Sequence, residues 1–583
     1  MYNISDIESH FKLPIYNVKN KYKLTDDLIN DLELIKTHYD DKSCKPMYDL
    51  LLNPTNDVSK ITTKMWSKYY TNDKKFLNDS KKLYKKMNLK SQENEFNPKH
   101  NHFSEFKDIW LDVKNCKDFL TRYHFVDIKY LLSLNTNSRF LMYLSLYNIT
   151  SPVLALISPI IILIIPFIIL KIRNTPITIS IYKSEINKLL GKHVIGHVIK
   201  NFKKVDFQKK MYLLCSVCFY FFQMYNNCQT CYRFYNNQKY LHNLINISKK
   251  YIGDTINSME KYLSYTDKLK TYSKFNDDII LHKNTLISYL NKINQILPPN
   301  SNIKIIKNIN QIGYLLKQFH FLRYNQELES ALFFSFGFNG YLENIYELTN
   351  NIQTGSVNFC KFSNDKMELK KMFYPSLKDD PLVVKNTLNI DKNFIITGPN
   401  AAGKTTLIKS VMVNIIFSQQ FGLGFYKCAN IKLFKHLHCY INIPDTSLRD
   451  SLFQAEARRC KMILNLIKDD PSEDHFCLFD ELYSGTNPEE ASASAYAFID
   501  YLSKNNNVKF LLTTHFINVC ERLKDNDNII NLHMGTCKYN NQLNYKYTLE
   551  QGISTVKGGL EVLKQLEYPT EIIKLADIFD GRG

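Results

Sequence analysis

Three short stretches in the last third of the chain hold residue types at spacings that suit phosphate chemistry. In "NFIITGPNAAGKTTLIK" an apolar run ends in Gly398, and Gly398-x4-Gly403-Lys404-Thr405 opens a helical pattern. Glycines let the chain approach an anion closely, and backbone N–H groups with a helix N-terminus then face phosphate oxygens. Gly398, Pro399, Asn400, Ala401, Ala402, Gly403, Lys404, Thr405 and Thr406 are therefore candidate ATP-binding residues, Lys404 reaching the terminal phosphates and Thr405 ligating Mg2+. In "DHFCLFDE" a second apolar run ends in Asp480, placed to hold Mg2+ directly or through water, and Glu481, placed to orient or deprotonate an attacking water. A third run, "VKFLLTTH", ends in His515, where an imidazole can sense the terminal phosphate or the water. Carboxylates or a histidine at a strand end are often only structural; the order of loop, acidic strand and third strand favours chemistry, with Lys404, Glu481 and His515 as catalytic candidates for Mg2+-dependent ATP hydrolysis.

Such residues need a scaffold that gathers the ends of several buried strands. Short apolar runs alternating with helical patterns such as "PEEASASAYAFIDYL" predict an α/β domain with a doubly wound sheet over residues 361–583. The chain before it reads as mostly helical. Residues 1–150 alternate Lys-rich stretches with Leu and aromatic positions at helical spacing, and 236–360 show i, i+3, i+4 apolar spacing that suits packing helices or levers. Between them, residues 151–235 are hydrophobic, giving four successive regions.

At 583 residues the chain exceeds what one core usually covers. Its formal charge of +19 is uneven: 27 Lys and Arg face 26 Asp and Glu from Lys361 onward, and 48 face 30 before it. Some of this excess reflects a composition rich in Lys, Asn, Ile and Tyr, but the asymmetry points to a polyanionic partner, DNA or an anionic membrane surface, for the first 360 residues. Thirteen cysteines without a secretory signal at "MYNISDIESHFKLPIY" predict reduced thiols and an intracellular protein.

"SPVLALISPIIILIIPFIILKI", residues 151–172, carries no charge before Lys171 and matches the roughly 20 apolar residues of a bilayer span. Pro152, Pro159 and Pro166 interrupt it at seven-residue intervals, so a buried or re-entrant segment is the alternative. A second run, "MYLLCSVCFYFFQMY" at 211–225, follows a basic stretch that includes Lys203, Lys204, Lys209 and Lys210. A two-span hairpin would hold that basic loop in the cytoplasm and put the ATP-dependent part opposite, so a single span with Lys171 and Arg173 cytoplasmic, or a surface segment, is expected instead. Cys215, Cys218, Cys228 and Cys231 have the C-x2-C-x9-C-x2-C spacing of a four-thiolate zinc site. The first pair lies in an apolar run, which disfavours the thiolate, so buried cysteines are preferred to zinc.

Together "ITGPNAAGKTT", "LFDELYSGTNPEEASASAYA" and "LLTTHF" resemble the ATPase domain of the MutS family, and the likeness extends over roughly residues 372–580. "DSLFQAEARRCKMIL" is similar to that family's Ser-x-Phe-x-x-Glu segment, and "YTLEQGISTVKGGLEVLKQLEYPTEIIKLA" to its ending and terminal helix-turn-helix. "GTNPEEA" looks closer to the branch that lacks a mismatch-reading domain. The resemblance implies a homodimer held by the C-terminal helices, with Ser451 approaching the partner's terminal phosphate, and an ATPase that clamps mismatched or branched DNA in repair or recombination. A membrane-anchored mechanical ATPase acting on a protein or lipid is the other class this sequence admits.

Overall fold

The computed structural model describes residues 4–38, 44–92, 102–190, 196, 198, 206–296, 309–364, 366–441, 451–539, 542–554, 556, 563–564 and 566–579. In the C-terminal part the apolar runs become six strands: β1 (Asn393–Thr397), β2 (His436–Tyr440), β3 (His475–Asp480), β4 (Val508–Thr513), β5 (Ile529–Tyr539) and β6 (Gln542–Gln551). Their order across the sheet is β6-β5-β1-β4-β3-β2. All neighbours pair in parallel except β5 with β6. β1 is buried at every position and β3 and β4 nearly so, as continuous apolar strands of a parallel sheet must be. The helices Leu452–Asp469 and Pro488–Ser503 contribute Ile463, Ile467, Phe498 and Ile499 to a core shared with Phe479 and Phe510. Parallel strands all end on one edge, and the loops after β1, β3 and β4 therefore converge there.

The helix Lys404–Phe421 follows β1 and is buried along most of its length. Gly422 ends it with φ 73°, where a Cβ would come within 2.7 Å of the Lys81 Cγ. At this end Gln420 Nε2 donates to the carbonyls of Trp66 (2.7 Å) and Tyr69 (2.8 Å), and Gln419 Nε2 to that of Thr71 (3.1 Å). Trp66 packs on Phe421 with ring centres 4.4 Å apart. A five-stranded sheet built mainly from Asn358–Phe362, Glu368–Met372, Asn386–Asn389 and Cys428–Ile431 completes this part.

By its contacts the chain forms two units, one of Asn101–Asn257 and His282–Leu332, the other of Ile4–His100, Ser258–Leu281 and Phe333–Gly583. The first is helical, with Ser138–Ile172, Ile179–Leu190, Ile309–Tyr324 and most of Phe207–Thr266. Gly313 lies so close to the start of the first of these that a Cβ would stand 2.0 Å from the Ser138 carbonyl oxygen. Among the described residues one helix, Ser138–Ile172, is long and apolar enough to cross a membrane, and only 11% of its apolar window is buried. The buried-segment alternative for 151–172 does not describe this helix. Nor are the four cysteines buried as expected: Cys215, Cys218 and Cys228 are exposed and Cys231 partly so. An apolar run packs inward only where a neighbour covers it, and the start of Phe207–Thr266 faces outward. All four thiols ride on this one helix, where Cys218 and Cys228, the nearest members of the two pairs, stand ten positions or about 15 Å apart, too far to share one ion.

Candidate nucleotide site

The loop after β1 is shaped by backbone conformation. Gly398 has φ 154°, Ala401 φ 63° and Gly403 φ 88°. Gly403 caps the helix that begins at Lys404, and a Cβ there would meet the Tyr547 ring at 3.2 Å, so both its angle and its space call for glycine. The Lys404 ammonium, almost wholly buried, donates to the carbonyls of Gly398 (3.0 Å) and Pro399 (3.3 Å). It also lies 3.1 Å from His515 Nε2 and 3.9 Å from Glu481 Oε1. Burial pulls its pKa down, against the opposing pull of Glu481 and Asp480.

The register of the sheet sets Asp480 opposite Thr513. The Thr405 hydroxyl donates to Asp480 Oδ2 at 2.9 Å and the Thr513 hydroxyl to Oδ1. Burial raises the Asp480 pKa while these two hydrogen bonds oppose the rise. Glu481 takes the left-handed conformation, φ 51°, and its N–H donates to the Thr513 carbonyl at 3.0 Å. Its Oε1 stands 2.9 Å from His515 Nε2, and this hydrogen bond holds its carboxyl below the ordinary range. Strand ends thus bring Lys404, Thr405, Asp480, Glu481 and His515 together from three separate loops.

A cavity of about 650 Å³ opens beside the loop, lined by Asn400 to Leu407 and Glu481 on one side and by Tyr374, Leu382, Val383 and Tyr547 on the other. Its size suits a nucleotide-sized ligand, with apolar and polar walls in one cleft. Ser451 is not among its lining residues. It begins the helix Leu452–Asp469, its hydroxyl oxygen accepting the Gln454 N–H at 3.4 Å, and residues 442–450 before it lie outside the described residues.

Residues 394–580 match the family model described as MutS domain V. Over these residues the chain is similar to MutS domain V. Individual relatives agree: DNA mismatch repair protein MutS of Leuconostoc mesenteroides is 29% identical over 195 residues, 33% of this chain and 22% of that protein. MutS of Persephonella marina is 27% identical over 216 residues, 36% of this chain and 24% of its own, and MutS of Staphylococcus haemolyticus 26% over 199 residues, 33% and 22%. The aligned part of the chain thus spans only about a quarter of the curated relatives it matches.

In this part of the chain, which is similar to MutS domain V, two contributors escape a reading of motifs alone. Thr513 reaches Asp480 only through strand register. Glu456, buried, accepts hydrogen bonds from the Ser484 N–H (3.1 Å), the Ser484 hydroxyl (3.0 Å) and the Gly485 N–H (3.2 Å), fixing the turn that follows Glu481. The signal for it was the acidic end of "SLFQAE". Of the terminal helices, Thr570–Phe579 is described, whereas most of 555–565 lies outside the described residues.

Proposed function

We propose that this chain is a Mg2+-dependent P-loop ATPase of MutS type, which couples ATP binding and hydrolysis to clamping on DNA as a homodimer. The carrying observation is the convergence of Lys404, Glu481 and His515 beside the Thr405–Asp480 pair. The residues fit both ligands. A hydroxyl and a carboxylate 2.9 Å apart are the hard oxygen donors Mg2+ prefers, and Thr405 with Asp480 would hold it. When bound, Mg2+ supplies charge neutralisation at phosphate oxygens. The buried Lys404 ammonium, satisfied by its own loop carbonyls, is free to turn to an anion, and the N–H groups of residues 400 to 406 open the helix beneath the cavity.

Glu481 is the base or orienting group for water. Its depressed pKa keeps it ionised at neutral pH, and the imidazole at 2.9 Å is positioned to take up or share the proton it collects. His515 Nε2 lies 3.1 Å from the Lys404 ammonium and 2.9 Å from Glu481 Oε1, between the two charged groups. Ser451 at its helix start is the residue assigned to the partner's site. DNA is the polyanion favoured for the basic first 360 residues, since the relatives are DNA mismatch repair proteins. The exposed apolar helix supports the second reading, a membrane-anchored ATPase working mechanically on another partner.

The test is paired. Glu481→Gln should keep ATP binding and lower turnover about 100-fold, whereas Lys404→Ala should weaken binding itself. Unchanged turnover in Glu481→Gln would remove the assignment. The full chain should bind duplex or branched DNA with affinity falling steeply as salt rises, because each neutralised phosphate releases counterions. No DNA binding at low salt, with or without ATP, decides for the second reading.

A further inference from the structure

Exposed apolar surface in the helical unit is concentrated in the excursion between residues 149 and 233. Along Ser138–Ile172 the side chains of Leu154, Ile160, Leu163, Ile164 and Phe167 are each 49–55% exposed. Pro152–Leu170 contains a single polar side chain, Ser158, whose hydroxyl donates to the Ala155 carbonyl at 2.9 Å. Its nineteen residues extend about 28 Å, close to the hydrocarbon thickness of a bilayer. A helix lying on a membrane surface needs a polar face, and this one has none: Pro166 and Leu170 occupy its covered side. The Tyr182 hydroxyl, from Ile179–Leu190, donates to the Leu163 carbonyl at 2.7 Å, so this hydroxyl is paired within the protein, as lipid demands. The flanks follow a bilayer profile as well. Tyr143 and Tyr147 are exposed at one end, and Lys171 and Arg173 stand at the other, where cations meet anionic headgroups.

The chain then returns. The helix Phe207–Thr266 starts with exposed Phe207, Phe219, Phe221 and Phe222 and is uncharged from Met211 to Tyr232. Ser145 and Asn148 on the outgoing helix line one small cavity together with Phe234, Asn237 and Gln238 on the returning one. The excursion therefore leaves and re-enters this unit at one place. A single crossing would put residues before 149 and after 233 on opposite sides of a membrane, whereas both border that cavity.

We propose that residues 149–190 and 206–233 belong to a bilayer anchor entered and left from one side, Pro152–Leu170 spanning the hydrocarbon layer and the aromatic start of Phe207–Thr266 lying in lipid beside it. The exposed cysteines of the returning helix then face lipid and not a metal.

The full chain is reconstituted into phosphatidylcholine vesicles containing phosphatidylglycerol and washed with high salt and alkaline carbonate. It should stay with the vesicles through both washes, and release by salt alone would reduce the attachment to surface charge and overturn the anchor. Replacing Ile161 and Leu163 by Asp should lower vesicle partitioning about 100-fold for each charge at the span centre. Because such variants can misfold, the natural cysteines give a second readout on the unaltered chain. A charged, membrane-impermeant maleimide should label Cys428, exposed in the other unit, at the same rate with and without vesicles, while Cys218 becomes about tenfold slower in vesicles. Equal labelling of Cys218 in vesicles and buffer overturns the proposal. So does protection that appears without lipid and grows with protein concentration, which would make a second copy the occupant.

Discussion

Glu456→Ala tests how the acidic turn is held. The turn is costly by itself: Glu481 and Tyr483 both sit at positive φ, 51° and 58°, in a region that side chains other than glycine seldom occupy. Each such residue costs on the order of 1–3 kcal/mol and persists only where its surroundings over-determine it. The over-determination comes from the buried Glu456 carboxylate, which accepts the Ser484 and Gly485 N–H groups and the Ser484 hydroxyl. Hydrogen bonds to a charged group contribute about 1.5–3 kcal/mol each, and the exposed Ser484 regains part of its loss from water, so removal of the carboxylate should cost about 3 kcal/mol in all. Glu456→Gln should cost less, since one oxygen remains, although its amide N–H2 then opposes a donor. Urea unfolding followed by circular dichroism measures the cost, and ATP turnover measures whether Glu481 has lost its placement. A loss below about 1 kcal/mol in Glu456→Ala with turnover unchanged would refute the claim that this carboxylate holds the turn.

Ser451→Ala should depress hydrolysis at concentrations where the chain dimerises and leave a dilute monomer unaffected; equal effects in both would argue against a role in the partner's site. Burial pushes the His438 pKa down to about 3 and also lowers that of His475. With an ordinary value near 6.5, the unfolded chain binds more protons between pH 6.5 and 3, so this contribution to stability is complete above about pH 6.5 and is lost progressively as pH falls toward 3. Urea midpoints measured across that window should decline with acid, and more shallowly in His438→Gln; parallel profiles for the two proteins would count against the burial effect.

The conformation of the loop after β1 is legible in sequence because its constraints are local. Gly403 must adopt φ 88° beneath Tyr547, and only a few residue types tolerate that, so the pattern survives as letters. Asp480, Glu481 and His515 are legible because each terminates an apolar run. The Thr513 contact is not, since it depends on which strands become neighbours, and β3 and β4 are separated by a whole helix. The cover of the helix Lys404–Phe421 by Trp66, Tyr69 and Thr71 is equally silent, because Gln419 and Gln420 read as ordinary polar positions until their amides are seen pointing at backbone carbonyls. Composition also misjudges what surrounds an apolar helix. The run holding Cys215 and Cys218 has the residues of a core and the exposure of a surface, and nothing in its periodicity separates the two.

The clasp at Phe421 has a mechanical meaning. The helix Lys404–Phe421 is a stiff spar of about 27 Å with one tip at the loop after β1 and the other wedged against an indole. Gln419 and Gln420 tie the far tip to three carbonyls of the Trp66–Thr71 stretch, so a tilt or slide of the near tip finds no slack along the way. Trp66 is one of only two tryptophans in the chain and is buried against that tip. The intrinsic fluorescence of this protein consequently contains a gauge for the position of its own loop helix, read from a segment more than three hundred residues away in sequence.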